Sequence, residues 1–458
     1  MSPAPETVDL ALWFEAALLP DGWAKDVRIG VRSGRIVSIE RGVGRAAADA
    51  GGGVGLPGVT NVHSHAFQRA MAGLTEARGP SDDDFWTWRE LMYRFLDRGG
   101  PDEIEAITAL AFAEMLEGGF TRVTEFHYLH NDPAGAGYAD HSEIAGRIVA
   151  AAAASGIALT LLPVFYAHSG FGALPPVQGQ RRFITDLDRF ADLAAACSRL
   201  TADMGDARFG VAPHSLRAVS ADQLALLPGL AQGGPIHIHV AEQTKEVEDC
   251  LAWSGARPVE WLLNHAPVDD QWCLIHATHV NEAEWRAVVA RGAVVGLCPI
   301  TEANLGDGVF PAAAYVQAGG RFGVGTDSNV QIGLAEELRM LEYSQRLSLR
   351  GRALTADSAR STGRALFERA LVGGAQAGGA SAGLAVGQAA DIISLNTRRF
   401  AFAGRSGDAL LDSWIFGAPT GSIASVWRAG REVVREGRHV ARDALEARCR
   451  AALKVVMA

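Results

Sequence analysis

Closely spaced histidines are the residues of this sequence that most directly suggest chemistry. The chain contains 13 histidines, and His63 and His65 stand two positions apart in the motif HSH. On an extended chain this spacing places both imidazoles on one face. Two imidazoles on one face can bind a single metal ion. The motif alone is also compatible with two surface histidines in a loop, so a metal site needs further ligands.

The segment HIHVAE (237–242) supplies a second histidine pair and a carboxylate. His239 lies nearer the end of this apolar segment than His237 and is the better candidate ligand. His237 is a candidate for a packed, hydrogen-bonded histidine. Glu242 follows at once, where its carboxylate could reach a metal-activated water. The alternative for Glu242 is a solvated position in a first helical turn, which the helix dipole favours.

Two further apolar segments end in residues of the same kind. His276 lies in IHATH (275–279), and Asp327 lies in GTDSN (325–329). An aspartate there can be a metal ligand and a proton acceptor, although a lone aspartate after a strand is also a common helix N-cap. Because these groups occur together, the sequence predicts a site for one divalent metal ion. Three imidazoles and one carboxylate suit Zn²⁺, with Fe²⁺ or Mn²⁺ as alternatives.

Short apolar strands alternate with amphipathic helical patterns, such as 102–117 and 184–200, over most of the chain. This alternation implies parallel strands covered by helices, and eight such units fit a (β/α)8 barrel, with the candidate residues at the catalytic ends of its strands. A doubly wound open sheet is the alternative, but no GxGxxG motif follows the first strand to support a dinucleotide fold. The predicted strands are 56–62, 119–126, 157–165, 208–213, 235–240, 272–277, 293–298 and 321–326.

Both ends of the chain have a different pattern. Residues 8–42, and later 383–396 and 422–440, show short strands separated by glycine turns. We expect these strands to pair with one another and to form a small β-sandwich domain. The predicted organisation is an α/β protein. Its small domain comprises residues 1–55 and 384–458, and its metal-dependent barrel comprises residues 56–383.

The composition is that of a globular enzyme and argues against other classes. The 458 residues are 48% apolar and 21% charged, which is too apolar for a disordered chain. The 42 basic residues face 52 acidic ones, for a net charge of −10, whereas nucleic-acid-binding proteins normally carry a basic surplus. We therefore expect a small-molecule substrate and no nucleic-acid partner.

Cysteine content and the amino terminus predict a cytoplasmic location. The 5 cysteines form neither a disulfide framework nor a CxxC metal motif, which fits a reducing compartment. The amino-terminal segment MSPAPETVDL has neither the basic nor the apolar region of a secretory signal. The most membrane-like stretch, 148–167, contains Ser155, Gly156 and Pro163, so we interpret it as a helix end, a turn and a buried strand.

Together these motifs resemble the deaminase branch of the amidohydrolase superfamily and, more narrowly, the formimidoylglutamate deiminases. The strand-1 HxH, the strand-5 HxxE, the strand-6 histidine and the strand-8 aspartate match the superfamily in order. Longer stretches that match the narrower family cover the barrel from end to end. They are NVHSHAFQRAMAGL (61–74), DFWTWRELMYR (84–94), TEFHYLH (124–130), APHSLRAV (212–219), HIHVAEQ (237–243), IHATH (275–279), GLCPITEANLGDGVFP (296–311) and GTDSN (325–329).

The resemblance implies a reaction and a role for each matching residue. The reaction would be metal-dependent hydrolytic deamination of N-formimidoyl-L-glutamate to N-formyl-L-glutamate and ammonia, catalysed by a homodimer. The implied metal ligands are His63, His65, His239 and Asp327, and the implied catalytic residues are Glu242, Asp327 and His276. The implied substrate-binding residues are Gln68, Arg89, Tyr128, His214, Arg217 and His276.

The implied substrate has two carboxylates, which an acidic protein can bind only through local cations. Arg89 and Arg217 would face the barrel mouth, and arginine binds carboxylates in a bidentate manner. Each arginine taken alone could be a surface residue. Trp86 and Trp88 flank Arg89 and are better explained by packing than by ligand contact. The segment 75–95 is a candidate to close over the substrate.

Two other functions remain open at this point. A deaminase of a cyclic amidine such as guanine, a pterin or a triazine would use the same metal site, but would not need two such arginines. A non-catalytic barrel that acts as a binding protein fits less well, because such proteins usually lose metal ligands. The sequence assigns no role to His127, His130 or His279, which could be structural.

Overall fold

A computed structural model describes residues 8–76 and 85–458 of the chain. The amino-terminal residues 1–7, where no leader is expected, lie outside the described residues, as do residues 77–84 of the segment expected to close over the substrate. Among the helices in the described ranges, none is long and apolar enough to cross a membrane.

Strands from the middle of the chain form a barrel, and strands from both ends form a separate sheet. The strands are β1 (Leu10–Leu19), β2 (Gly22–Arg32), β3 (Arg35–Glu40), β4 (Val54–Pro57), β5 (Val59–Ser64), β6 (Phe120–His127), β7 (Ala158–Phe165), β8 (Arg208–Phe209), β9 (Ala212–Pro213), β10 (Ile236–Val240), β11 (Trp272–His276), β12 (Val294–Leu297), β13 (Arg321–Val324), β14 (Ile392–Leu395), β15 (Ile423–Arg428), β16 (Arg431–Arg435) and β17 (Arg438–His439).

Helices cover the barrel and close the chain at its carboxyl end. They are α1 (Phe85–Leu96), α2 (Pro101–Glu117), α3 (Glu143–Ser155), α4 (Leu187–Ala202), α5 (Ala221–Leu230), α6 (Thr244–Ser254), α7 (Pro258–His265), α8 (Glu282–Arg291), α9 (Pro299–Leu305), α10 (Ala312–Gln317), α11 (Leu334–Leu349), α12 (Thr362–Ala377), α13 (Asp408–Asp412) and α14 (Arg442–Val456). Short 3₁₀ turns span Ala66–Met71, Gln178–Gln180 and Phe400–Phe402, and a π turn spans Ser413–Gly417.

The barrel consists of two parallel sheets that meet along two seams. One sheet has the order β5-β6-β7-β8, with β9 also paired to β7, and the other has the order β10-β11-β12-β13. Isolated parallel bridges join Val211 to Ile236 on one side and Ser64 to Asp327 on the other. With β8 and β9 as one interrupted strand, these eight positions confirm the predicted (β/α)8 architecture.

The terminal sheet combines the two ends of the chain. Its eight strands have the order β17-β16-β15-β14-β4-β1-β2-β3. The antiparallel pairing of β14 with β4 joins the carboxyl-terminal strands to the amino-terminal ones. This confirms that both chain ends build the additional β domain. The division into residues 1–55, 56–383 and 384–458 stays a prediction.

Three details differ from the expectations. The predicted first strand, 56–62, is divided between β4 in the terminal sheet and β5 in the barrel. Gly58 stands at the division, where a Cβ atom would lie 2.2 Å from Thr121 Oγ1, so the chain can pass β6 there only as glycine. The helical pattern of residues 355–370 predicts a helix over that range, but α12 begins only at Thr362, after Ser361 accepts a capping hydrogen bond from the Arg364 N–H. The third difference is α14, an amphipathic helix that packs against α2. The sequence patterns near the carboxyl terminus indicate strands and do not predict this helix.

A packed apolar layer fills the barrel beneath its mouth. All five cysteines of the chain are free and buried, and two of them belong to this layer. Because the interior is filled, polar side chains at the strand ends can face only the mouth. The layer consists of Val62, Cys273, Ile275, Val294, Cys298 and Ala377.

Candidate active site

Four buried side chains converge at the carboxyl end of the barrel: His63 and His65 around the end of β5, His239 on β10, and Asp327 after β13. The Nε2 atom of His63 lies 3.2 Å from that of His65 and 2.9 Å from that of His239. Asp327 Oδ1 lies 3.3 Å from Nε2 of both His63 and His65. Tetrahedral ligands at zinc–nitrogen bond lengths are about 3.3 Å apart, so the four atoms are spaced as ligands of one ion.

The protonation of the imidazoles fits a metal site. His65 Nδ1 lies 3.1 Å from the Phe126 carbonyl oxygen, so Nδ1 carries the proton and Nε2 presents a lone pair. Burial lowers the pKa of His63 to about 3 and also lowers those of His65 and His239. Three neutral imidazoles and a carboxylate therefore direct lone pairs at one point. Hydrogen bonds among these groups cannot satisfy all of the lone pairs, whereas a cation can.

Strained backbone lies at the ends of three barrel strands, β10, β11 and β13. Ala241, His276 and Asp327 have φ angles of 53°, 66° and 44°, in the left-handed region that costs an L-residue about 1–2 kcal/mol. Two backbone hydrogen bonds of 2.9 Å fix the backbone at Asp327. The His65 N–H donates to the Asp327 carbonyl, and the Asp327 N–H donates to the His63 carbonyl. The ligands at the two strand ends are thus fixed to one another through the barrel seam.

An acid–base pair lies beside the four candidate ligands. Glu242 Oε1 is 3.6 Å from His276 Nε2, and His276 Nδ1 is 3.2 Å from Glu302 Oε1. Burial raises the pKa of Glu242 to about 7. Burial alone would lower the pKa of His276, but the charge of Glu242 and the hydrogen bond to Glu302 outweigh it and raise the pKa to about 10. Near neutral pH, Glu242 can gain or lose a proton, and its ionised form favours the protonated imidazole of His276.

A cavity opens above this group. Gln68 Nε2 donates to Tyr128 Oη at 2.9 Å, while Gln68 Oε1 is buried without a partner among the described residues and can accept a hydrogen bond from a ligand. His63 lies beneath the cavity floor. The other candidate site residues all line the cavity, namely His65, Gln68, Arg89, Tyr128, His214, Arg217, His239, Glu242, His276 and Asp327.

Arg89 and Arg217 give this cavity a cationic region. The guanidinium carbon of Arg89 lies 4.6 Å from the centre of the Trp86 ring, and that of Arg217 lies 5.6 Å from the same ring. Arg217 is only 7% exposed, and Nε of both arginines is buried without a hydrogen-bond partner in the ranges that the structure describes. Within those ranges no ion pair joins either guanidinium to a carboxylate, and arginine binds carboxylates in a bidentate manner.

Several residues that support the site carry no sequence signal of their own. Glu302 accepts the His276 contact and also the Cys298 N–H at 2.8 Å. Asn329 Nδ2 donates to Asp327 O at 2.9 Å and fixes the turn that carries this ligand. Tyr166 lines the cavity beside His214, with ring centres 4.4 Å apart. Glu302 and Asn329 lie inside the recognised motifs, but their partners became visible only in three dimensions.

The histidines without a predicted role make structural contacts. His237 Nε2 donates to the Ala377 carbonyl at 2.8 Å, and His130 Nε2 donates to the Val164 carbonyl at 2.7 Å. His127 packs edge-on against His130, with ring centres 5.2 Å apart. His279 Nε2 donates to the Asp307 carbonyl at 2.8 Å. These contacts are the reason that none of the four turns toward the candidate metal ligands.

The geometry is that of a barrel whose mouth gathers four candidate ligands for a metal ion beside a buried carboxyl. Comparisons with protein families lead to the same class. Residues 54–433 match the model of the amidohydrolase family. Residues 11–53 match the N-terminal domain of formimidoylglutamate deiminase HutF.

Comparisons with individual proteins indicate the family within this class. The chain is 49% identical to formimidoylglutamate deiminase from Pseudomonas aeruginosa, over 94% of this chain and 96% of the relative. It is 28% identical to a 5-methylthioadenosine/S-adenosylhomocysteine deaminase from Natronomonas pharaonis, over 69% of this chain and 68% of that protein. The crystal structure of an amidohydrolase from Brucella melitensis superposes with a TM-score of 0.95 at 52% identity, covering 98% of this chain and 100% of that one. The chain therefore belongs to the amidohydrolase family and, within it, to the formimidoylglutamate deiminases.

Proposed function

We propose that this protein hydrolyses N-formimidoyl-L-glutamate to N-formyl-L-glutamate and ammonia. The observation that carries the proposal is the pair of guanidiniums, of the half-buried Arg89 and the buried Arg217, in the cavity whose floor holds the candidate metal ligands. A substrate with two carboxylates and one amidine matches a cavity with two cations and one hydrolytic centre. The relative from Pseudomonas aeruginosa carries the corresponding enzyme name.

The amidohydrolase family is metal-dependent, and we propose one divalent ion for this protein. His63, His65, His239 and Asp327 would hold it. Zn²⁺ suits this donor set best, with Fe²⁺ and Mn²⁺ as alternatives. When bound, the ion supplies Lewis-acid activation of water.

The side chains around this centre move the protons. Asp327 accepts a proton from the attacking water as its oxygen bonds to the formimidoyl carbon. Glu242 gives its proton to the terminal nitrogen in the same step, and His276 donates a hydrogen bond to the developing negative charge. Asp327 then returns its proton to that nitrogen, the carbon–nitrogen bond breaks and ammonia leaves. The remaining hydroxyl proton restores Glu242, so the carbonyl of N-formylglutamate forms and every proton is accounted for.

The opposite end of the substrate would bind through charge-assisted hydrogen bonds. Arg89 and Arg217 would each hold one carboxylate in a bidentate manner. Gln68, Tyr128 and His214 line the same cavity and would hydrogen-bond the substrate there. Fixing both carboxylates would place the formimidoyl carbon at the hydrolytic centre.

Product identification tests the proposal. Metal-analysed protein is incubated with N-formimidoyl-L-glutamate, and the products are identified by NMR and an ammonia assay. The expected result is equimolar ammonia and N-formyl-L-glutamate. Formamide and glutamate would mean that the other carbon–nitrogen bond breaks. Turnover of guanine or a pterin without turnover of the linear substrate would replace the proposal by a cyclic-amidine deaminase.

We also propose a cytoplasmic homodimer. The cytoplasmic location is supported by five free, buried cysteines, which suit a reducing compartment. The dimer is supported by the resemblance to the family. Light scattering on the purified protein tests the dimer, and a monomeric mass would overturn it.

A further inference from the structure

Tyr166 is a buried residue of the cavity wall to which the proposed function gives no role. It directly follows the last residue of β7, at the end of the strand that faces the barrel mouth, and it is 4% exposed. Its ring centre lies 4.4 Å from that of His214 and 5.8 Å from that of Phe183, and all three residues line the cavity. Tyr166 therefore belongs to the same wall as His214, which the proposed function assigns to substrate binding.

Gln180 fixes the direction of the hydrogen bond that the Tyr166 hydroxyl forms. Gln180 is 1% exposed and ends the 3₁₀ turn Gln178–Gln180, which lies between β7 and α4. Its Oε1 accepts the Val177 N–H at 2.9 Å, so a backbone donor sets the orientation of the amide. The Nε2 atom then faces Tyr166 and donates to its Oη at 2.9 Å. Because an amide nitrogen can only donate, Tyr166 is the acceptor in this bond.

The hydrogen of the Tyr166 hydroxyl remains for another acceptor. A tyrosine hydroxyl can donate one hydrogen bond while it accepts another. Among the residues that the structure describes, the bond from Gln180 is the one hydrogen bond of Tyr166 Oη. A buried donor without an acceptor costs free energy, so buried tyrosine hydroxyls usually have one. A ligand in the cavity that Tyr166 lines can supply this acceptor.

The charges around the cavity favour an anion as this acceptor. Arg89 and Arg217 line the same cavity, and Arg217 lies within electrostatic range of the Tyr166 hydroxyl. The carboxyls of Glu242 and Asp327 also line the cavity, but they belong to the candidate metal and acid–base groups at its floor. Hydrogen bonds to an ionised acceptor are about twice as strong as those between neutral groups. A carboxylate held by the guanidiniums would therefore be a favourable partner for the Tyr166 hydroxyl.

We propose that Tyr166 is a further substrate-binding residue, whose hydroxyl donates a hydrogen bond to a carboxylate of the substrate. Gln180 is a positioning residue that directs this hydroxyl, and it acts through Tyr166 because it does not itself line the cavity. The identity of the substrate rests on the proposed function. The hydrogen bond from Tyr166 to a carboxylate can be tested without turnover.

The first test is Tyr166→Phe in the metal-loaded protein. KM for formimidoylglutamate should rise about 10-fold, because a hydrogen bond to a carboxylate is lost. The value of kcat should stay within about threefold of wild type, because the hydroxyl takes no part in the proton transfers. Tyr315→Phe is the matched control: it removes a tyrosine hydroxyl that donates to the Arg321 carbonyl at 3.0 Å outside the cavity, and should leave KM unchanged. An unchanged KM for Tyr166→Phe, or an equal rise in both variants, would overturn the proposal.

Gln180→Met tests the positioning role without altering the tyrosine. Methionine has a similar length but cannot donate to the hydroxyl, so KM should rise about threefold while kcat is kept. In the Tyr166→Phe protein the same change should have no further effect, because the hydroxyl through which Gln180 acts is already absent. An equal rise of KM in both backgrounds would show a merely structural role and would overturn the positioning by Gln180.

Binding of glutarate separates this inference from the proposed function. Glutarate is a dicarboxylate without the amidine, so calorimetry measures its binding to the metal-loaded protein without turnover. The Kd should be about 10-fold higher for Tyr166→Phe than for wild type. Equal Kd values, or no binding of glutarate by wild type, would overturn the inference. Weaker binding by the variant, together with no deamination of formimidoylglutamate by wild type, would overturn the proposed function alone.

Discussion

The two ends of the cavity are built in different ways. At the metal end, His63 and Asp327 come from either side of a barrel seam, and the Asp327 N–H donates to the His63 carbonyl at 2.9 Å. At the cationic end, Arg89 comes from α1 and Arg217 from the segment after β9, and the contact they share is the ring of Trp86. The groups proposed to react thus belong to the barrel itself, while the groups proposed to select the substrate belong to its connecting segments.

This difference predicts different consequences for substitutions at the two ends. Changes at the metal end should abolish the reaction while leaving the cationic end able to bind anions. Changes at the cationic end should weaken substrate binding while the metal stays bound. Barrel enzymes commonly combine a fixed set of strand-end residues with variable loops, and this cavity shows that division within a single site.

The largest effect is expected for His239→Ala. Loss of one imidazole should weaken metal affinity by more than about a hundredfold, because removal of residues that only support metal ligands already has effects of 10–100-fold. Metal content after dialysis measures this. His237→Leu is the matched control on the same strand: it should keep the metal and lose about 1–3 kcal/mol of stability, because the Ala377 carbonyl loses its donor. Full metal retention by His239→Ala would contradict the assignment.

Glu242→Gln should lower kcat by about 10²–10⁴-fold. The amide cannot supply the proton that the leaving nitrogen needs, although its size and its place beside His276 are preserved. Steady-state kinetics combined with metal analysis check this, because metal content should equal that of wild type. Turnover at the wild-type rate would remove Glu242 from the mechanism.

A smaller effect, confined to binding, is expected at the cationic end. Arg217→Met should raise KM by about 10–100-fold, because it removes charge-assisted hydrogen bonds worth about 1.5–3 kcal/mol. Arg217→Lys should recover only part of this, since lysine restores the charge without the bidentate geometry. Steady-state kinetics with formimidoylglutamate separate KM from kcat. A fall in kcat at constant KM would place Arg217 in the chemistry instead.

The smallest effect is expected for Trp86. Trp86→Leu removes the ring that contacts both guanidiniums, and a cation–π contact worth about 0.5–1 kcal/mol corresponds to a KM about 2–5-fold higher. Trp86→Phe should lie between wild type and the leucine variant. Equal KM values for all three proteins would show that the ring does not organise the arginines.

The sequence predicted the barrel because its strands are separated by regular helical patterns, and β6, β7 and β10–β13 lie within one to two residues of the predicted bounds. It did not predict the division between β4 and β5, because both are apolar and only the contact of Gly58 with Thr121 separates them. Nor did it predict α14, whose packing partner α2 is far away in the chain.

For the site, spacing along strands brought His63, His65, His239 and Asp327 to attention, and the structure places them around one point. Their assignment as ligands stays a prediction. Glu302, in α9, and Asp307, in the turn that follows α9, escaped notice because a lone carboxylate has no distinguishing pattern. Glu302 contacts His276, and Asp307 lies near Glu242 and His276. These neighbours are distant in the sequence and come together only in the folded chain.

The most direct test of the two-ended cavity pairs arginine variants with truncated substrates. kcat/KM is measured for wild type, Arg89→Met and Arg217→Met with formimidoylglutamate and with two analogues, each lacking one carboxylate. If each arginine binds one carboxylate, each variant should have a lower kcat/KM than wild type for the full substrate. For the analogue that lacks the carboxylate bound by the replaced arginine, variant and wild type should have similar kcat/KM values, because that interaction is already absent. Additive losses in every combination would contradict the account, since neither arginine would then recognise a carboxylate.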